Sequence, residues 1–85
     1  MVRAPDEPEL MKELNLHVSR RIRGALAYEH ISLRVAADYL GISRGGLDRK
    51  IRTGQRWTVV EVLLIAHLTG RSFEWFLPDV DRPPT

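Results

Sequence analysis

The stretch LRVAADYLGISRGGLDRKIRT, residues 33 to 53, decides how the chain is read. Val35, Ala36, Tyr39 and Leu40 recur at helical spacing, and Ser32 stands in front of them as an N-cap. Gly41 terminates that short helix. Ser43 then caps a second one, in which Leu47 and Ile51 at spacing four point inward and leave Arg44, Asp48, Arg49 and Arg52 outside. Gly54 ends it. Two adjacent glycines, Gly45 and Gly46, occupy the opening turn, although each glycine inside a helix costs about 1 kcal/mol relative to alanine. What lies in front of that helix has to account for them.

The reading extends in both directions. Upstream, Leu10, Met11, Leu14, Val18, Ile22, Ala25 and Leu26 trace one helical stripe from Glu9 to Glu29 or His30, with an interruption expected near Asn15. Lys12, Glu13, Arg20, Arg21 and Arg23 fall off it. Downstream, a loop GQRW leads to Thr58-Val-Val-Glu61, the pattern of a capping box, with Trp57 and Val62 placed as a hydrophobic staple before a strongly apolar helix. Gly70 closes that helix. Ser72 is expected to cap a short fifth helix, FEWFL, with Phe73, Phe76 and Leu77 turned inward and Trp75 off that face, and Pro78 stops it. No segment alternates as a strand does. The expected fold is therefore all-α: a compact five-helix bundle at 9–77, between a flexible N-terminus at 1–8 and a polar, Pro-rich tail at 78–85.

Size and composition agree with one small domain. A chain of 85 residues buries only about 60% of its unfolded surface. The absence of cysteine removes disulfides, thiolate nucleophiles and Cys-based zinc sites together. The first residues contain no apolar signal-like run, and the longest unbroken apolar run, VLLIA at 62–66, is far too short for a bilayer. A cytoplasmic, nucleoid-associated protein is expected, with no membrane partner. Net charge is only +2, but residues 17–56 hold nine basic and three acidic side chains, while each flank holds two basic and four acidic ones. One basic face between acidic ends suits a polyanionic partner.

The helix, turn and helix at 33–53 meet the steric demands of a helix-turn-helix unit. Ala37 is small where the next helix crosses, Gly41 takes the turn four residues on, and Ile42, Leu47 and Ile51 lock the pair. Residues 17 to 77 resemble the phage Cro and repressor family, the XRE-type helix-turn-helix, and the likeness runs through LGISRGGLDRKIRTGQRWTVVEVLLIAHLTGRSFEWFL. The resemblance implies a lambda-repressor-like, five-helix DNA-binding domain, usually dimeric on a near-palindromic operator. Leu33 stands where the family often has Gln, so the phosphate contact expected there is either absent or moves to Arg34. The acidic residues before His17 do not form a basic DNA-wrapping arm.

If the helix after Ser43 enters the major groove, Gly45 and Gly46 remove bulk where protein and DNA come closest, and their neighbours read the bases. Arg44, Gly45, Asp48 and Arg49 are the expected base-facing residues. Arg44 can bond guanine O6 and N7 together, while Asp48 either accepts from cytosine N4 or pairs with Arg44 at i,i+4 and holds it. Arg34, Ser43, Arg52, Gln55, Arg56 and Thr58 are the expected phosphate-binding residues, partly through backbone N–H groups at helix starts. Lys50 is left unassigned, because its place between Leu47 and Ile51 turns it toward solvent. Trp57 is expected in the core, with an indole N–H to phosphate as the alternative. Ile65 and Trp75 are the expected dimer-interface residues.

Nothing points to catalysis. His17, His30 and His67 lack metal-ligand spacing, and His67 is expected as a core or interface residue. Glu29 with His30, and Glu61 with His67, make no acid–base pair, and neither a phosphate-binding glycine loop nor a nucleophile elbow is present. No cofactor and no metal are expected. The expected function is a sequence-specific, double-stranded-DNA-binding transcriptional regulator, Cro-like or a minimal repressor of phage or prophage type, because no separate effector domain fits this length. The alternative is a protein-interaction module, such as an antitoxin or anti-repressor, using an exposed face of the fourth helix.

Overall fold

The structure, a computed structural model, describes residues 7–78. Among them the order is α1 (Glu7–Tyr28), α2 (Leu33–Leu40), α3 (Arg44–Thr53), α4 (Val59–Thr69) and a 3-10 turn, Phe73–Phe76, with no strand. The expected fifth helix is thus corrected to a single 3-10 turn. The five residues between Ser72 and Pro78 leave no room for an α-helical ladder, and the Ser72 side chain makes no capping bond.

α1 is continuous and begins earlier than expected. Pro8 lies in its first turn, where a missing N–H has no helical partner to lose, so Glu7 and Pro8 belong to the helix and not to a flexible arm. Residues 1–6 and 79–85 of the expected arm and tail lie outside the described residues. Asn15 does not interrupt the helix: its Nδ2 donates to the Met11 carbonyl at 2.8 Å, while its Oδ1 accepts the Trp57 backbone N–H at 2.8 Å. One turn on, buried Ser19 accepts the Trp57 indole N–H at 2.8 Å. Two polar residues on the apolar stripe therefore latch the loop between α3 and α4 onto α1.

The chain leaves α1 through His30, whose φ of 56° is left-handed, with the Ile31 N–H bonding back to the Leu26 carbonyl at 2.8 Å. Ser32 caps α2 by accepting the Val35 N–H at 3.1 Å, and Ser43 caps α3 by accepting the Gly46 N–H at 3.0 Å. Both bonds of the capping box are present at α4: Thr58 Oγ1 accepts from Glu61 N–H and Glu61 Oε1 accepts from Thr58 N–H. Gly41 and Gly54 end α2 and α3 with φ of 73° and 64°.

The core gathers Val18, Ile22, Ala25 and Leu26 of α1, Ala36 and Ala37 of α2, Leu47 and Ile51 of α3, Val62, Ile65 and Ala66 of α4, then Trp57 and Phe76. In α2 only the two alanines are buried, whereas Val35 and Tyr39 are exposed. Small side chains there let α3 and α4 approach closely. Leu77 is exposed rather than inward, and Trp75 is half-buried, edge-on to Phe76 at 5.0 Å. The expected orientation of those two residues is reversed, because the indole lies between the Arg21 and Arg71 guanidiniums, 4.8 and 4.3 Å from the ring centre.

Candidate nucleic-acid interface

α3 divides its residues by depth. Leu47 and Ile51 are buried, whereas Arg44, Gly45, Arg49 and Arg52 are exposed along the opposite edge. Because side chains three and four apart share a helix face, Gly45, Arg49 and Arg52 form one outward stripe and Arg44 stands at its head. A Cβ built on Gly45 would meet nothing within 4 Å, but one on Gly46 would stand 2.9 Å from Ser43 Oγ. The two glycines therefore have different causes. Gly46 leaves space for the cap, and Gly45 is not required by its own fold.

Asp48 is half-buried and accepts from Arg52 Nε at 3.1 Å. The expected pairing of Asp48 with Arg44 is corrected: an acid reaches i+4 on the C-terminal side, where the Arg52 side chain extends back toward it. Arg44 has no acidic partner among the described residues, and neither have Arg34 or Arg49, both exposed. These cations are solvated and open to an incoming anion.

Lys50 is not turned to solvent. Its Nζ lies 2.8 Å from both carboxylate oxygens of Glu61 and 5.1 Å from the centre of the Trp57 ring. Burial pushes the Glu61 carboxyl up, but the Lys50 ammonium and the Thr58 N–H together outweigh it and hold the group below its ordinary value. Lys50 thus ties α3 to α4 and is withdrawn from any ligand. Trp57 is buried with its indole N–H on Ser19, so that donor is not available to phosphate.

The loop residues remain at the surface. Gln55 and Arg56 are exposed, with Arg56 Nη2 against Met11 Sδ at 3.3 Å, a weak acceptor that leaves the guanidinium's other donors free. Ser43 and Thr58 use their hydroxyl oxygens as helix caps, while their hydroxyl hydrogens donate to no group among the described residues.

The expected dimer residues are corrected by their burial. Ile65 is fully enclosed in its own chain, and Trp75 is held between two arginines and Phe76, so neither offers a free apolar surface. The exposed apolar side chains of α4 are instead Val59, Val60 and Leu63, at 62%, 63% and 48% exposure. His67 is exposed too, stacked on Tyr39 at 6.3 Å, and not in the core. Asn15 and Ser19 are the positioning residues that composition alone did not single out. Their signal was present as two polar side chains at spacing four, on a stripe otherwise apolar.

Among the described residues no group of three or more His, Cys, Asp or Glu side chains converges on a metal position, and no helix is long and apolar enough to cross a membrane. No family model, characterised protein or solved structure matches the chain.

Proposed function

We propose that this chain is a sequence-specific, double-stranded-DNA-binding regulator that lays α3 in the major groove. The observation that carries the reading is the exposed cationic edge of α3, where Arg44 and Arg49 have no acidic partner among the described residues and Gly45 beside them leaves open space. A helix with its side chains is about 10–12 Å across and the major groove is about 12 Å wide, so the edge enters only where bulk is low. Arg44 is the base reader, with Gly45 and Arg49 beside it. Arg34 on α2, Gln55 and Arg56 in the loop, and the starts of α3 and α4 bear on phosphates. Asp48 orients Arg52 in place of reading bases.

The proposed mode of action is occupancy of an operator, as in a Cro-like or minimal phage-type repressor, by two copies on a near-palindromic site. Selection from random duplexes at physiological salt tests both parts at once. A defined motif repeated about 10–10.5 base pairs apart supports a paired protein, and a single half-site a monomer. Recovery of no motif, with no duplex binding at any ionic strength, overturns the reading.

A second reading is favoured by the exposed Val59, Val60 and Leu63 of α4. A contiguous apolar face of this kind serves protein contacts, so an antitoxin-like or anti-repressor-like module is the rival. Salt-insensitive binding of a protein partner, lost in Leu63→Asp and accompanied by no affinity for duplex DNA, would establish it instead.

A further inference from the structure

The expected phosphate-binding residues lie on α2, on α3 and its N-cap, and in the loop before α4, yet the structure draws α1 into the same charged surface. Leu16, Ser19, Arg20 and Arg23 of α1, with Ile51 and Arg52 of α3, line an open hollow of about 250 Å³. Arg20 and Arg23 are exposed and have no acidic partner among the described residues. Arg52 gives only its Nε to Asp48, at 3.1 Å, which leaves the two terminal nitrogens of its guanidinium without a partner among those residues. Three guanidiniums and one marginal carboxylate thus leave the hollow two charges positive. Like charges gathered in this way repel one another until an anion arrives.

We infer that the Arg20–Arg23–Arg52 hollow is a clamp for a backbone phosphate of the duplex, extending the contact from α3 onto α1. The inference rests on the DNA-binding reading and adds to it residues that the helix 43–53 does not contain. Planar guanidinium forks match the oxygens of a phosphodiester and hold it from several directions, which an ammonium does less specifically. Arg52 makes the hollow continuous with the exposed stripe of Gly45 and Arg49, at i, i+4 and i+7. The strand that borders the groove therefore passes from the end of α3 directly to α1. α1 is fixed at this place: Leu16 packs over Gly54, where an added Cβ would meet Leu16 Cδ2 at 2.6 Å, and Ser19 is bonded to Trp57. The backbone that carries the clamp is thus held before binding, and the three arginine side chains are what binding has to order.

The test uses the full chain and compares wild type, Arg20→Gln/Arg23→Gln and Arg20→Lys/Arg23→Lys on a selected duplex and on a random duplex of equal length, from 50 to 300 mM salt. Each phosphate contact on B-DNA releases about 0.9 of a counterion, so the slope over this range counts the contacts. The glutamine variant should bind both duplexes about tenfold or more weakly, with the slope of log affinity against log salt reduced by about 1–2 and the ratio between the duplexes unchanged. The lysine variant should keep most of the slope. Thermal melting, and the single variants Arg20→Gln and Arg23→Gln with intermediate slopes, separate loss of the clamp from loss of the fold. An unchanged slope in the glutamine variant, while wild type binds DNA, overturns the clamp and leaves the DNA-binding reading standing. So does an NMR titration in which inorganic phosphate shifts the Arg20 and Arg23 side-chain signals while both DNA slopes stay put, because the hollow then serves a free anion. Absence of duplex binding by wild type removes the reading and the clamp together.

Discussion

Replacing each of the two adjacent glycines by alanine separates what the fold needs from what the ligand needs. Gly45 faces open space, so Gly45→Ala adds a methyl that touches nothing of its own chain and gains the better helix propensity of alanine. That gain is about 1 kcal/mol in a helix interior and about half as much in a first turn, so the variant should melt roughly 2–4 °C higher. Gly46→Ala makes the same gain but sets its methyl 2.9 Å from Ser43 Oγ, the atom that caps the helix at 3.0 Å. Displacing that hydroxyl costs about 1 kcal/mol, so the second variant should melt at or below wild type. Binding should follow the opposite order. In the proposed groove-bound arrangement the methyl on Gly45 would stand where α3 meets the duplex, and binding should weaken by about tenfold, or about 1.4 kcal/mol, despite the more stable fold. Circular dichroism melts and fluorescence anisotropy with a labelled duplex read the two effects separately. Equal stabilisation by both substitutions would refute the role given to Gly46, and undiminished affinity in Gly45→Ala would refute the approach of this turn to DNA.

Arg44→Ala should lose about 1–3 kcal/mol of discrimination between operator and random duplex, whereas Arg56→Ala should weaken both alike and lower the salt slope by about 1; equal losses from Arg44→Ala in a binding titration remove it as a reader. Glu61 has its folded-state carboxyl held below the ordinary 4.5, so its contribution is full above that pH and is lost as pH falls through the folded value. Urea melts from pH 7 to pH 3 should therefore show a loss that Glu61→Gln partly removes, and an identical pH profile in the variant would contradict the pairing with Lys50. Gly54→Ala should cost about 2–4 kcal/mol, combining left-handed strain with the collision on Leu16, against about 1 kcal/mol for Gly70→Ala, whose φ of 70° is equally strained but whose Cβ would meet nothing. Equal losses at the two glycines in denaturant titrations would show that Leu16 yields freely.

Local signals made most of this fold legible. Each boundary of α2, α3 and α4 was marked by a capping side chain on one side and a left-handed glycine on the other, and these depend on residues within one turn. What local spacing could not settle was which of two neighbours a side chain would choose. Asp48 had an arginine four residues away on either side, and only the packing of the helix selects Arg52 over Arg44. Asn15 resembled a break because its partner, the Trp57 backbone, lies 42 residues away. The burial of Ile65 and the half-burial of Trp75 were out of local reach for a related reason. Burial of an apolar side chain depends on which elements cover it, and Arg21 and Arg71, far apart in the chain, close on the indole from α1 and from the loop after α4.

Trp57 explains how so small a domain presents a rigid surface. Its backbone N–H and indole N–H are both taken by α1, through Asn15 and Ser19, and Lys50 of α3 lies over its ring while binding Glu61 of α4. One residue therefore fixes the loop at 54–57 to three helices, without relying on buried area that a chain of this length has little of. The consequence reaches the surface. Gln55 and Arg56 leave from a loop whose following residue is bonded twice to α1, and Arg52 leaves from a helix whose last turn is closed by Gly54 against Leu16. The polar bonds that a small apolar core makes necessary are also what hold in place the backbone from which the cationic side chains extend. A partner with regularly spaced charges gains from that fixity, because the cost of ordering the contacting groups is met in folding rather than in binding.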